Sequence, residues 1–139
     1  MNEKEELNTI EDIENMVYTI RGKKVILDSD VAKLYETDTK MIRKVVKRNI
    51  KRFPEDCCFQ LTKEELKQMQ SQIVIASQKD EKYRNNRFLP YVFTDKGIVM
   101  LALLLKNKIA VQFSIRIINE LISTGYIGID ELFKWLWKE

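Results

Sequence analysis

The residues best placed to do chemistry in this sequence are cations. Between Thr39 and Arg52 stand seven Lys or Arg (Lys40, Arg43, Lys44, Lys47, Arg48, Lys51, Arg52) and no Asp or Glu. Wound at about 3.6 residues per turn, Ile42, Val45, Val46, Ile50 and Phe53 gather on one face, with Lys40, Arg43, Lys44, Lys47 and Lys51 on the other. Such a face acts electrostatically: it neutralises phosphates or carboxylates without making or breaking a bond.

Other chemistry is poorly provided for. The 139 residues include no His, which removes His-dependent triads, His bases and the commonest zinc sets. Cys57 and Cys58 are adjacent, and sequence neighbours rarely reach disulfide geometry with each other; two ligands do not make a structural zinc site. Two reduced thiols in a cytoplasmic protein, with at least one buried, is the economical reading. The remaining acids are scattered or cap helices. We therefore expect no enzyme, no cofactor and no metal site.

The cationic face needs elements to hold it. Asp28 or Ser29 is expected to N-cap a short helix with Val31, Leu34 and Tyr35 on its apolar side. Glu36-Thr37-Asp38 breaks the pattern, and Asp38 or Thr39 can cap the basic helix. A short helix, a three-residue turn and a longer helix have the spacing of a helix-turn-helix, with Ala32 small at the crossing and Val31, Tyr35, Ile42 and Val45 buried. Glu36 stands where the turn usually carries Gly, which predicts a turn that is strained or differently shaped.

Around this unit, Val17–Ile20 and Val25–Leu27 flank Arg21-Gly22-Lys23-Lys24 as a β-hairpin. Pro54 ends the basic helix. Cys57 to Leu61 reads as a strand, and Thr62 with Glu65 forms a capping box. Residues 70–87 read as a mobile loop, with a strand expected within it at Ile73–Ile75. Residues 88–93 are extended, and Thr94 caps a helix from Asp95 to Leu105. A further helix from about Lys108 to Ser123 should turn Ala110, Phe113, Ile117, Leu121 and Ile122 inward. After a break at Gly125 and Gly128, Ile129 to Lys138 forms a last helix. The fold class is thus α+β, mostly helical: an N-terminal hairpin, a helix-turn-helix, short strands and C-terminal core helices in a single domain. Residues 1–14 form an acidic flexible leader, 15–124 the binding domain, and 125–139 a C-terminal helix for dimerisation or connection.

The net charge of +3 understates the basicity of the body. Residues 1–14 hold six acids and Lys4, so residues 15–139 keep 23 of the 24 Lys+Arg against 15 of the 21 Asp+Glu, a balance of +8. A basic body points to a polyanionic partner, most simply nucleic acid. The apolar run Ile98–Leu105 lies between Lys96 and Lys106 and is too short to span a bilayer, so no membrane is expected.

Several ordered blocks sharpen this reading: Ala32-Lys-Leu-Tyr, Val46-Lys-Arg-Asn, Arg52-Phe-Pro-Glu-Asp, Phe59-Gln-Leu-Thr, Ser71-Gln, and Leu89-Pro-Tyr-Val-Phe-Thr-Asp-Lys-Gly-Ile-Val-Met-Leu. Together they resemble the phage "open reading frame six, N-terminal" DNA-binding domain, a relative of the KilA-N and Bro-N domains of bacteriophage antirepressors and prophage-derived proteins. The resemblance runs from about Ile20 to Ile122. Glu36 for a usual Gly, Cys57 for a usual aromatic and Asn85-Asn86 for a Gly- or Arg-rich turn depart from it. It implies double-stranded DNA binding in phage or prophage gene regulation, without catalysis.

On that reading Thr39, Lys40, Arg43 and Lys44, at the start of the second helix, meet base edges in a major groove. Lys47, Arg48 and Lys51 meet phosphates, which position without specifying. Arg21, Lys23 and Lys24 touch flanking backbone as a wing would, or simply form a solvated turn. Asn49 is expected to serve its own helix. The partners expected are double-stranded DNA and a second copy of the chain, the latter through Leu132, Phe133, Trp135, Leu136 and Trp137. A repressor or other phage or host protein, docked on the same basic helix, is the alternative.

Overall fold

The computed structural model describes residues 13–72, 89–125 and 128–137. The expected strand at Ile73–Ile75 and most of the 70–87 loop lie outside the described residues, as do residues 1–12 of the leader. The order is β1 (Val17–Ile20), β2 (Lys23–Leu27), α1 (Asp28–Leu34), α2 (Thr39–Arg48), a 3-10 turn (Ile50–Arg52), β3 (Cys58–Gln60), α3 (Lys63–Gln72), β4 (Tyr91–Phe93), α4 (Asp95–Leu104), α5 (Lys108–Ser123) and α6 (Ile129–Trp137). The four strands form one antiparallel sheet in the order β1-β2-β4-β3.

β1 and β2 are joined through Arg21 and Gly22 alone, at φ 57° and 73°, because the strand twist favours a turn with two left-handed residues. Strand side chains alternate between faces, and here both faces are covered. Ile26, Cys58 and Phe93 enter a core built with α1, α2, α4 and α5. Val25, Leu27, Phe59 and Val92 enter a second core with Leu66 and Met69 of α3. This explains why Val25-Ile26-Leu27 is an unbroken apolar run.

α1 and α2 meet through Val31, Ala32, Tyr35, Ile42 and Val46, all buried, with Val45 partly so. The connection takes four residues, Tyr35 to Asp38, not three, since α1 ends at Leu34. Glu36 adopts φ 54°; its N–H donates to the Lys33 carbonyl at 3.1 Å and that of Thr37 to Ala32 at 2.9 Å. This closure normally places Gly at the left-handed position, so the predicted strain sits on Glu36. Asp38 caps α2 by accepting from the Met41 N–H at 2.7 Å.

Thr62 and Glu65 make their reciprocal capping bonds at 2.9 and 3.1 Å. α3 continues to Gln72, so the start assigned to the loop at Gln70 is helical. Thr94 caps α4, accepting from the Gly97 N–H while its hydroxyl donates to the Asp56 carbonyl at 2.6 Å. A methyl group at Gly97 would lie 2.0 Å from the Cys57 carbonyl oxygen, so only glycine lets α4 approach this closely.

Two expectations fail on packing. Of the residues assigned inward on α5, only Ala110 is buried and Ile117 half-buried; Phe113, Leu121 and Ile122 are exposed, because α5 lies on the edge of the core and not within it. Ile50 is 62% exposed, because α2 stops at Arg48 and the 3-10 turn rotates it off the apolar face. Of the residues assigned to the leader, Ile13 and Glu14 are described: both are helical, and Ile13 packs against the core.

Candidate nucleic-acid interface

The outer face of α2 carries Lys40, Lys44, Lys47 and Arg48, all exposed, followed by Lys51 and Arg52 on the 3-10 turn. Thr39 opens the helix, half-buried beside them. Ile42 and Val46 anchor the inner face at 0% and 4% exposure. The helix ends at Asn49, whose side chain donates to the Val45 carbonyl at 2.9 Å, the structural role expected of it. Lys51 belongs to the turn and no longer follows the helical face assigned to it.

Arg43 stands apart from the other cations. Its Nε donates at 3.0 Å to Oδ2 of Asp28, a carboxylate with no solvent exposure. Neither Asp28 nor Ser29 caps α1 as expected. Instead Leu27 occupies the cap position without a side-chain bond, and Asp28 turns inward. There it also accepts from the Tyr91 N–H at 3.1 Å, while its Oδ1 has no hydrogen-bond partner among the described residues. One carboxylate thus links α1, α2 and β4 and fixes the rotation of α2 on the sheet. A helical wheel carries a hint of this: Arg43 lies about 100° from Ile42, nearer the apolar face than Lys40, Lys44 or Lys47. Nothing comparable points to Asp28 as its partner.

Arg21 is also engaged. Its guanidinium grips Glu65 through two bonds of 2.6 and 3.0 Å, reaches Glu55 at 3.5 Å, and lies 4.0 Å over the Phe59 ring. The bond to Arg21 holds the Glu65 carboxyl below its ordinary range. The hairpin tip is therefore tied to α3 and β3. Lys24 remains exposed and Lys23 half-buried.

Supporting contacts come from the C-terminal half. Tyr35 Oη donates to the Ile98 carbonyl, and the Asn107 side chain donates to the Tyr35 carbonyl, both at 2.6 Å, fixing α4 and α5 to the bihelical unit. Beside α2 this leaves a groove of about 620 Å³ lined by Met41, Val45, Arg48, Leu104 and Lys106, among others. Both thiols are buried and free; burial pushes Cys58 up to about 12 and raises Cys57. Among the described residues no three His, Cys, Asp or Glu side chains are grouped to hold a metal. No single helix among them is long and apolar enough to cross a membrane.

No curated protein and no solved structure matches this chain. The family model of the ORF6N domain matches residues 15–104, a span that holds the hairpin, the bihelical unit, the whole sheet and α4. With well over half of its length inside that match, the chain belongs to the phage-associated ORF6N domain family.

Proposed function

We propose that this protein binds double-stranded DNA sequence-selectively, in the cytoplasm, to regulate phage or prophage genes, with α1 and α2 acting as a helix-turn-helix. The observation that carries the reading is the outer face of α2: exposed cations, no acid from Thr39 to Arg52, and a rigid mounting. Thr39, Lys40 and Lys44 reach base edges near the start of the helix, whereas Lys47, Arg48 and Lys51 meet phosphates. Lys23 and Lys24 supply flanking backbone contacts. Arg43 and Arg21 position the apparatus through Asp28 and Glu65. The protein acts by occupancy, without catalysis or cofactor.

The test is affinity on a duplex site selected from a random library and on a scrambled duplex. Lys40→Ala and Lys44→Ala should each weaken the selected site preferentially, by about 1–3 kcal/mol where the contact is to a base. Lys47→Ala and Lys51→Ala should weaken both duplexes alike. If removing these charges leaves both affinities unchanged, the assignment of α2 is wrong.

A second reading has the groove beside α2 in its favour. Its apolar floor of Met41, Val45 and Leu104, rimmed by Arg48 and Lys106, suits an acidic amphipathic segment of a repressor. Lack of salt-dependent binding to any duplex would favour this partner over DNA.

A further inference from the structure

α5 is apolar over roughly two-thirds of its circumference at about 100° per residue, but its own domain covers only one strip. Ile109, Ala110 and Ile117 pack toward the core, and the Phe113 ring lies 6.2 Å from that of Tyr35. About 150° further round lie Val111, Ile115, Ile118 and Ile122, each between 44% and 52% exposed. Their spacing of four, three and four residues is that of a coiled-coil seam, and all four are β-branched, hence stiff. Downstream, Ile129, Leu132, Phe133 and Trp135 of α6 are also exposed. A nine-residue helix is too short to persist alone in water, so α6 also needs a surface to lie on.

We propose that the occupant is a second copy of this chain, its α5 packed antiparallel on the first with Ile115 of each copy opposite Ile118 of the other. Gln112, Ser114, Asn119 and Leu121 flank the strip and carry no charge, so self-pairing brings no like charges together. Arg116 and Glu120 lie off the strip, and Lys108 at its N-terminal end is the one charge in line with it. Lys108 sets the direction. It stands seven residues before Ile115, so a parallel pair would place it against its own copy. In the antiparallel pair it meets the carbonyl end of the other helix, where a cation is favoured. Counting about half of each exposed side chain, the strip on α5 alone offers on the order of 350 Å² per copy, so α6 must join the seam for the interface to approach one partner's ~800 Å² share of a standard interface. A single self-complementary strip closes as a two-fold dimer. The expected dimer thus acquires a seam on α5, with α6 at its flank.

Sedimentation of the full chain tests this independently of any DNA activity. At micromolar concentration it should run at twice 16.5 kDa. I115K and I118E should each run as folded monomers, judged by unchanged circular dichroism, since both side chains are exposed. Mixed in equal amounts, they should regain the dimer, because the introduced lysine of one chain then faces the introduced glutamate of the other while the second pair stays Ile on Ile. A wild-type monomer at on the order of 100 μM overturns the proposal without any variant. So does a dimer indifferent to the two substitutions, or a mixture that stays monomeric.

Discussion

Asp28 takes a role that its residue type does not announce. A carboxylate with no solvent exposure is tolerable only if its charge is answered, and Arg43 answers it. Arg43→Ala should therefore behave first as a stability variant, losing about 3–5 kcal/mol, because it leaves the buried charge unpaired. Thermal or denaturant unfolding measures this, and Lys44→Ala, with its side chain in solvent, is the control that should change little. If Arg43→Ala unfolds like wild type but loses affinity for duplex, Arg43 reads DNA and Asp28 has another partner. Gly97 makes a sharper case. Gly97→Ala must push α4 away from the Cys57 carbonyl, a backbone atom with no freedom to give, and should lose at least ~2 kcal/mol in the same assay.

At the scale of elements, the turn between α1 and α2 holds Glu36 in a left-handed conformation that costs a side-chain-bearing residue roughly 1 kcal/mol. Glu36→Gly should relieve that cost, less the backbone entropy that Gly adds to the unfolded chain and whatever the Glu36 side chain contributes, for a net gain of at most about 0.5 kcal/mol in urea unfolding. A loss of stability instead would mean that the glutamate side chain outweighs the strain. The hairpin supplies a pH signature. Glu65 has its folded-state pKa lowered by Arg21, so the clamp stabilises the fold above the ordinary glutamate range and is lost as pH falls through the folded value. Unfolding midpoints should fall on acidification below about pH 4.5, the ordinary value. Glu65→Gln should flatten that dependence; an unchanged acid profile would place the titrating group elsewhere.

For the whole molecule, charge distribution governs the proposed partner. If the face of α2 and its turn neutralise about five phosphates, log K against log salt should slope near −4 to −5. If the acidic residues 1–12 compete for this surface, removing them should raise non-specific duplex affinity at low salt; an unchanged affinity makes them bystanders.

What the sequence determined alone is whatever depends on neighbours along the chain. The hairpin around Gly22, the capping box at Thr62 and Glu65, the caps at Asp38 and Thr94, and the amphipathic split of α2 all rest on contacts a few residues apart. Their patterns are therefore visible in order and spacing. The α+β class follows from the same signals, and the order of the blocks carries the family. Tertiary structure decided which cations are free. Arg43 and Lys44 are adjacent and similar in charge, yet one is held by a carboxylate fifteen residues upstream and the other faces solvent. Arg21 likewise pairs with Glu65, forty-four residues away. It also decided which apolar residues are core: an α5 apolar over roughly two-thirds of its circumference offers two faces to periodicity, and only the position of α4 and Tyr35 selects the buried one. Burial and ion pairing over such distances depend on where the sheet brings remote segments, and local spacing does not encode that.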